Sequence, residues 1–406
     1  MNDKSKYSFE KMIKSSADQV YHAFTNSTSM REWLCDIASA DPKTGGRIYL
    51  SWNSGFYSAG EYISLDPGKK VEFSWLGKGE PASTQVFVKI SPRDGKTLVQ
   101  LEHAGVGSGD AWEGMIAEIQ KGWPSSLDNL ASVLETGEDQ RFTQRPMVGI
   151  GLSDFNEEIA RHLGIPVTRG IRIDRAIEGM GAHTAGLESN DVIVSLDGEE
   201  TTDYSSIPTA LQKHRAGDRV EVVFYRGAEK KRVEMVLSPR PMPDIPWTVD
   251  GLARAVRERY TQIDQELDGF YRNITEEEAS FRPEPEEWCI KEIFAHLVQS
   301  ERGYQNYIAD VVGGQEPHYD DYYGNLQARI NATLDVYPTL ADLLQELKRC
   351  NQETLALFVH LPLSFIERKG SYWRIAYGAL EAPYHHQVHL EQMRALVNDA
   401  KAEQGE

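Results

Sequence analysis

The hydrophobic pattern of this 406-residue chain changes period twice, and that change limits its possible folds more than any other feature. Residues 1 to about 140 alternate apolar and polar side chains at period two over 47–52, 60–64, 70–75, 85–90 and 97–102. Turn residues at Pro67-Gly68, 77–81 and 92–95 separate these runs, which predicts an antiparallel meander. Amphipathic helices are expected at 17–24 and 111–134, the second with Trp112, Met115, Ile119, Trp123, Leu127, Leu130 and Leu134 at three-to-four spacing. A curved sheet wrapped around such a helix would enclose a cavity. From Met147 to Leu237 glycine-punctuated strands follow, and 238–247 then place four prolines in ten residues, a stiff spacer. Beyond Trp247 the period is 3.6, with helices expected at 249–274, 288–311, 340–361 and 382–402, which makes a four-helix bundle.

The length agrees with about two to four domains. Asp plus Glu outnumber Lys plus Arg by 62 to 43, and 13 of the 19 excess negative charges lie beyond residue 240. Such a chain repels phosphate backbones and anionic membranes, so nucleic acid is not expected as a partner. No N-terminal apolar region and no bilayer-length apolar run occur, and the three cysteines show no CxxC spacing. A cytoplasmic protein without a membrane span is the expectation.

The first segment resembles the START-like, SRPBCC domains related to heat-shock-protein ATPase activators. Ile13, Val20, Ala23, Phe24, Thr25, Met30, Trp33-Leu34, 60–62 and Gly122-Trp123 carry the resemblance. It implies an α+β helix-grip domain over 1–140 with a hydrophobic small molecule in its cavity. His103, at a strand end, is expected to be structural or exposed. The second segment resembles a PDZ domain of the HtrA-protease-associated type, a β-rich fold over 147–240, through 147–153, 170–174, 186–198 and 217–227. The resemblance implies that Val148, Gly149, Ile150 and Gly151 form a loop binding a protein's C-terminal carboxylate. The peptide would add a strand beside 152–155, beginning at Leu152, facing a helix at about 206–213. A spacer module with an unused groove is the alternative. Residues 180–186 depart from the family's usual Ser-Pro-Ala start, and no GxSxG accompanies the module.

One constellation in the last segment exceeds architecture. His385 and His389 stand at i and i+4, so both rings leave one face of a helix and can chelate one ion. His296, between Ile293 and Leu297, falls on the buried side of another helix. Three imidazoles leave coordination positions open, as catalytic rather than closed structural sites do. Satisfied core or surface histidines are the bland alternative. His386 is expected to face solvent or a neighbouring helix, and Glu292 to accept a proton, orient a ligand or pair with a lysine.

Residues 288–297 and 385–393 resemble the second- and fourth-helix motifs of the DinB-like family, whose members include metal-dependent hydrolases and thiol transferases. Residues 390–392 depart from that family's usual Arg-Gly-Gln-like run. The resemblance covers 247–406 and implies that His296, His385 and His389 hold a divalent ion; zinc, nickel, iron and manganese are not distinguished. Lewis-acid activation of water or of a small thiol would then be available. The expected function is a metal-dependent enzyme of low-molecular-weight thiol transfer or hydrolysis fused to ligand- and peptide-binding modules. A non-enzymatic adaptor or ligand sensor with a structural metal is the alternative. Residues 105–109 lack the context of a dinucleotide fingerprint, and no phosphate-binding GxxxxGK[ST] is present.

Overall fold

The structure is a computed structural model and describes residues 5–153, 155–203, 206–282, 287–316 and 326–404. The chain forms two compact units, 139–242 and a unit made of 1–138 together with 243–406. Three modules were expected in series; the first and third pack as one unit.

The N-terminal module opens with β1 (Ser5–Ile13), α1 (Ala17–Ala23), α2 (Ser27–Trp33) and β2 (Ile37–Ala40). It continues through β3 (Arg47–Ser51), β4 (Tyr57–Asp66), β5 (Lys70–Gly77), β6 (Thr84–Arg93), β7 (Lys96–Val106) and α3 (Asp110–Thr136), after which the short α4 (Gln140–Thr143) begins the next unit. The seven strands make an antiparallel sheet in the order β1-β7-β6-β5-β4-β3-β2. Period-two alternation buries Val71, Phe73 and Trp75 from β5 and Val86, Val88 and Ile90 from β6, against Trp123, Leu127 and Leu130 of α3. Each such side chain contributes about 1.5–3 kcal/mol on burial. Rings occupy the space expected to be a cavity: Trp75 lies 5.7 Å from Trp123 and 6.2 Å from Trp52 between ring centres. His103 is fully buried with both ring nitrogens partnered, the structural one of the two roles expected for it.

The middle unit consists of β8 (Ile150–Ser153), α5 (Glu157–Leu163), β9 (Ile171–Ala176), α6 (Gly181–Thr184), β10 (Val192–Leu196), β11 (Glu199–Glu200), α7 (Ser206–Ala210), β12 (Arg219–Arg226) and β13 (Glu229–Val236). Its sheet runs β13-β12-β10-β9-β8, so β8 is an edge strand. The expected 206–213 helix ends three residues early, and α5 is additional.

The C-terminal module comprises α8 (Val249–Tyr271), α9 (Glu276–Ser280), α10 (Ile290–Gly313), α11 (Leu326–Val336), α12 (Leu340–Val359) and α13 (Lys369–Gln404). Contacts α8 to α12, α12 to α10, α10 to α13 and α13 to α8 close a four-helix ring, and α11 lies on α10. Thr275 with Glu278 and Thr339 with Asp342 form capping boxes, each side chain satisfying an orphan N–H. The fourth helix begins at Lys369, thirteen residues before the expected start. Tyr372, Ile375, Ala376, Ala379 and Leu380 recur at i, i+3, i+4, i+7 and i+8 as one apolar face, widened by Trp373, while Gly370 and the polar Ser371 beside it are buried as well. None of the described helices is long and apolar enough to cross a membrane.

Candidate metal centre

The site is built where α10 faces α13. His296 projects from the first turns of α10, and His385 and His389 from successive turns of α13. His385 Nε2 lies 3.3 Å from His296 Nε2 and 3.0 Å from His389 Nε2. The three ligand atoms all fall within 4.8 Å of one another. Two nitrogens each about 2.0–2.1 Å from a tetrahedral ion would be separated by about 3.3 Å, so the donor set fits one cation of zinc's coordination chemistry.

The protonation state agrees. Burial, then the neighbouring rings, pushes His296 down to about 4 and His385 down to about 3. Burial also holds His389 below the ordinary histidine value, opposed by Gln392. All three are therefore neutral at pH 7, the form that ligates metal. Gln392 Oε1 lies 3.0 Å from His389 Nδ1; its carbonyl accepts the Nδ1 proton and leaves the Nε2 lone pair facing the other rings. His296 Nδ1 is buried without a hydrogen-bond partner. The Trp288 ring lies 5.1 Å from the His296 ring, and its Nε1 donates to Gln327 Oε1 at 3.3 Å.

Of the two secondary residues, Glu292 departs from expectation, and His386 takes the buried one of the two surroundings expected for it. Glu292 is 4% exposed, accepts the Cys289 N–H at 2.9 Å and pairs with Arg282 at 2.8 Å. Burial raises its pKa, but the Cys289 N–H and Arg282 more than offset that and hold it below the usual carboxylate value. It closes the start of α10 and pairs with an arginine, not a lysine. His386 is buried at 4% exposure, so it faces the protein interior and not solvent. Sequence reasoning missed Gln392 and Trp288 as ring-orienting groups. The legible signal was Gln392 at i+3 from His389, one turn along the same face.

In the middle unit Gly149 has φ +82°, and a Cβ there would lie 2.3 Å from Met180 Cβ, so the turn into β8 requires glycine. The Val148 side chain is buried, while Leu152 is 42% exposed. Ile150 and Gly151 already lie in β8, paired with Ala176 and Arg175, so only Val148 and Gly149 precede the strand. Asp154, within the 152–155 stretch, lies outside the described residues.

Residues 14–135 match the family profile described as Activator of Hsp90 ATPase homolog 1-like protein, 146–237 match the PDZ domain and 259–393 match the DinB superfamily. The chain thus joins a β-rich START-like module, a PDZ module and a helical DinB module. A probable periplasmic serine endoprotease DegP-like from Marinomonas sp. (strain MWYL1) is 26% identical over 110 residues, covering 27% of this chain and 24% of that protein. The serine protease Do-like HtrA of Lactococcus lactis subsp. cremoris (strain MG1363) is 30% identical over 115 residues, covering 27% and 28%. The chain therefore spans about a quarter of the length of these relatives. The solution structure of the Aha1 dimer from Colwellia psychrerythraea is 20% identical with a TM-score of 0.30, covering 32% of this chain and 96% of that one.

Proposed function

We propose that the chain is a metal-dependent enzyme of DinB-like type, acting in low-molecular-weight thiol transfer or hydrolysis. The observation that carries this reading is the convergence of three imidazoles, with His296 Nε2 and His389 Nε2 at 3.3 and 3.0 Å from His385 Nε2 and all three ligand atoms within 4.8 Å of one another. These rings hold the ion, Gln392 fixes the His389 tautomer, and Trp288 covers His296. A divalent ion held by three neutral imidazoles supplies Lewis acidity that favours the deprotonated form of a bound thiol or water.

The other modules bind. A protein C-terminus is expected to extend the PDZ sheet at the edge strand β8, its carboxylate near Val148 and Gly149 and its strand beside Ile150, Gly151 and Leu152. An apolar small molecule is expected among the aromatic rings of the START-like module, where entry requires those rings to move apart. The location is a reducing cytoplasm, in keeping with Cys35, Cys289 and Cys350, which are buried and form no disulfide with one another.

Protein purified without a histidine tag is expected to carry one divalent ion per chain, measured by mass spectrometry, and to consume a thiol with an electrophile or cleave an ester or amide. His389→Ala should lose ion and turnover while its far-UV dichroism is unchanged. An absence of stoichiometric metal in the wild type defeats the enzyme reading; retained metal with no turnover leaves the adaptor.

A further inference from the structure

Both helices that supply the three histidines are tied, at their far ends, to the START-like module. His296 sits near the start of α10, and Glu316 follows that helix's end at Gly313. α13 runs the other way, with Ser371 and Arg374 in its opening turns and His385 and His389 further along. At about 1.5 Å per residue, Ser371 lies about 21 Å along the axis from His385.

Arg31 and Glu32 of α2 meet both ends. Arg31 Nη1 donates to the Glu316 carbonyl at 3.3 Å and lies 3.4 Å from its carboxylate. Arg374 grips the same carboxylate through both terminal nitrogens, one contact at 2.8 Å. Glu32, 7% exposed, accepts the Ser371 hydroxyl proton at 2.5 Å. Arg368 completes the junction by donating to the carbonyls of Val311 and Val312, at 2.7 and 2.9 Å, where α10 ends. Close approach is required: a Cβ on Gly370 would lie 2.6 Å from Glu32 Oε2 and 2.8 Å from Val133 Cγ1. Between junction and histidines, Tyr304 of α10 donates to the Ile375 carbonyl of α13.

Resting on the metal reading above, we propose that the START-like module is a clamp on the metal centre, with Arg31 and Glu32 as positioning residues that set the axial register of α10 against α13 and hence the spacing of the three imidazoles. Two packed helices with shared side-chain contacts transmit an axial shift instead of absorbing it, because a close-packed interior deforms little. The junction is also costly to assemble. Burial pushes the Glu32 carboxyl up to about 7, with Arg374, Ser371 and Arg368 opposing and Glu316 adding to the rise. A buried charge cluster of this kind is broken by losing one partner more readily than a surface pair. Whatever occupies the START-like module and displaces α2 would thereby alter metal affinity.

The test titrates Co²⁺ into the full-length, untagged protein against a chelator and records the visible d–d bands, which report coordination geometry. Glu32→Arg should weaken Co²⁺ binding about tenfold and change the band intensities. Glu32→Gln, which still accepts from Ser371, should stay within about twofold of wild type. Arg31→Ala, which removes the bridge to Glu316 together with the bond to the Asp36 carbonyl, should weaken binding by a few-fold and keeps the test usable if Glu32→Arg does not fold. Folded variants with wild-type affinity and spectrum overturn the clamp while leaving the metal site standing; a wild type that takes up no Co²⁺ overturns both.

Discussion

Histidine serves opposite ends in the two halves of the larger unit. His103, in the START-like module, is fully buried; its Nδ1 accepts from Trp123 Nε1 at 3.0 Å and its Nε2 donates to Thr84 Oγ1 at 2.7 Å. Every polar atom is matched, and the ring is part of the core. In the DinB module three rings turn their Nε2 atoms on one another, and His296 Nδ1 is left without a partner. Neutral imidazoles gain little from that arrangement unless a cation shares their lone pairs. The two regions thus differ in hydrogen-bonding capacity, met at His103 and unmet at His296 Nδ1, and not in burial alone.

The largest way to sharpen this contrast is to remove one ring from each region. His385→Ala should abolish metal binding and change the stability of the metal-free protein by less than about 1 kcal/mol, since it relieves crowding. His103→Ala should do the reverse: metal content stays at one per chain while stability falls by about 3–5 kcal/mol, from the lost packing and the stranded Trp123 and Thr84 groups. Denaturant titration alongside metal analysis checks both. If His103→Ala lost metal and His385→Ala lost stability, the assignment would be inverted.

A smaller effect is expected at Gln392. Gln392→Leu removes the acceptor that fixes the His389 tautomer and should weaken metal affinity by about tenfold or more with the three ligands intact. Unchanged affinity would reduce Gln392 to a bystander.

The smallest effect is in the pH dependence of the metal-free protein. Burial lowers His103 to about 4, so the unfolded chain takes up its proton first and stability is lost as pH falls from about 6.5 toward 4. Burial raises Glu301 to about 7, opposed by its hydrogen bonds to Thr354 and Tyr260. The folded chain there holds the proton more tightly, so this group's contribution is lost as pH rises from about 4.5 to 7. Glu301→Gln should therefore flatten the decline over that second window, read from unfolding midpoints at several pH values.

Much of this was legible in the sequence because it is local. Period-two runs marked the meander strands, and the i, i+4 pair His385 and His389 needed only helical geometry to share a face. Placing His296 opposite them required the family resemblance, since no local pattern reports which helix faces which. What remained hidden depends on distant partners. Glu292 reads in sequence as an acid to accept a proton, orient a ligand or pair with a lysine, yet Arg282, ten residues earlier, and the Cys289 N–H hold it at the start of α10. The opening of α13 carries its apolar side chains on one face, but it also packs on α2 and α3 through Gly370 and the buried Ser371, which no apolar pattern announces. Arg31 meets Glu316 across 285 positions, and nothing in either segment announces the pairing.

X-ray absorption at the K-edge of the bound metal, on untagged protein, tests the account most directly. Three imidazole nitrogens at about 2.0–2.1 Å are expected in wild type, with the imidazole contribution reduced and metal lost in His389→Ala. A metal shell without imidazole scattering, or one unaltered by His389→Ala, would contradict it.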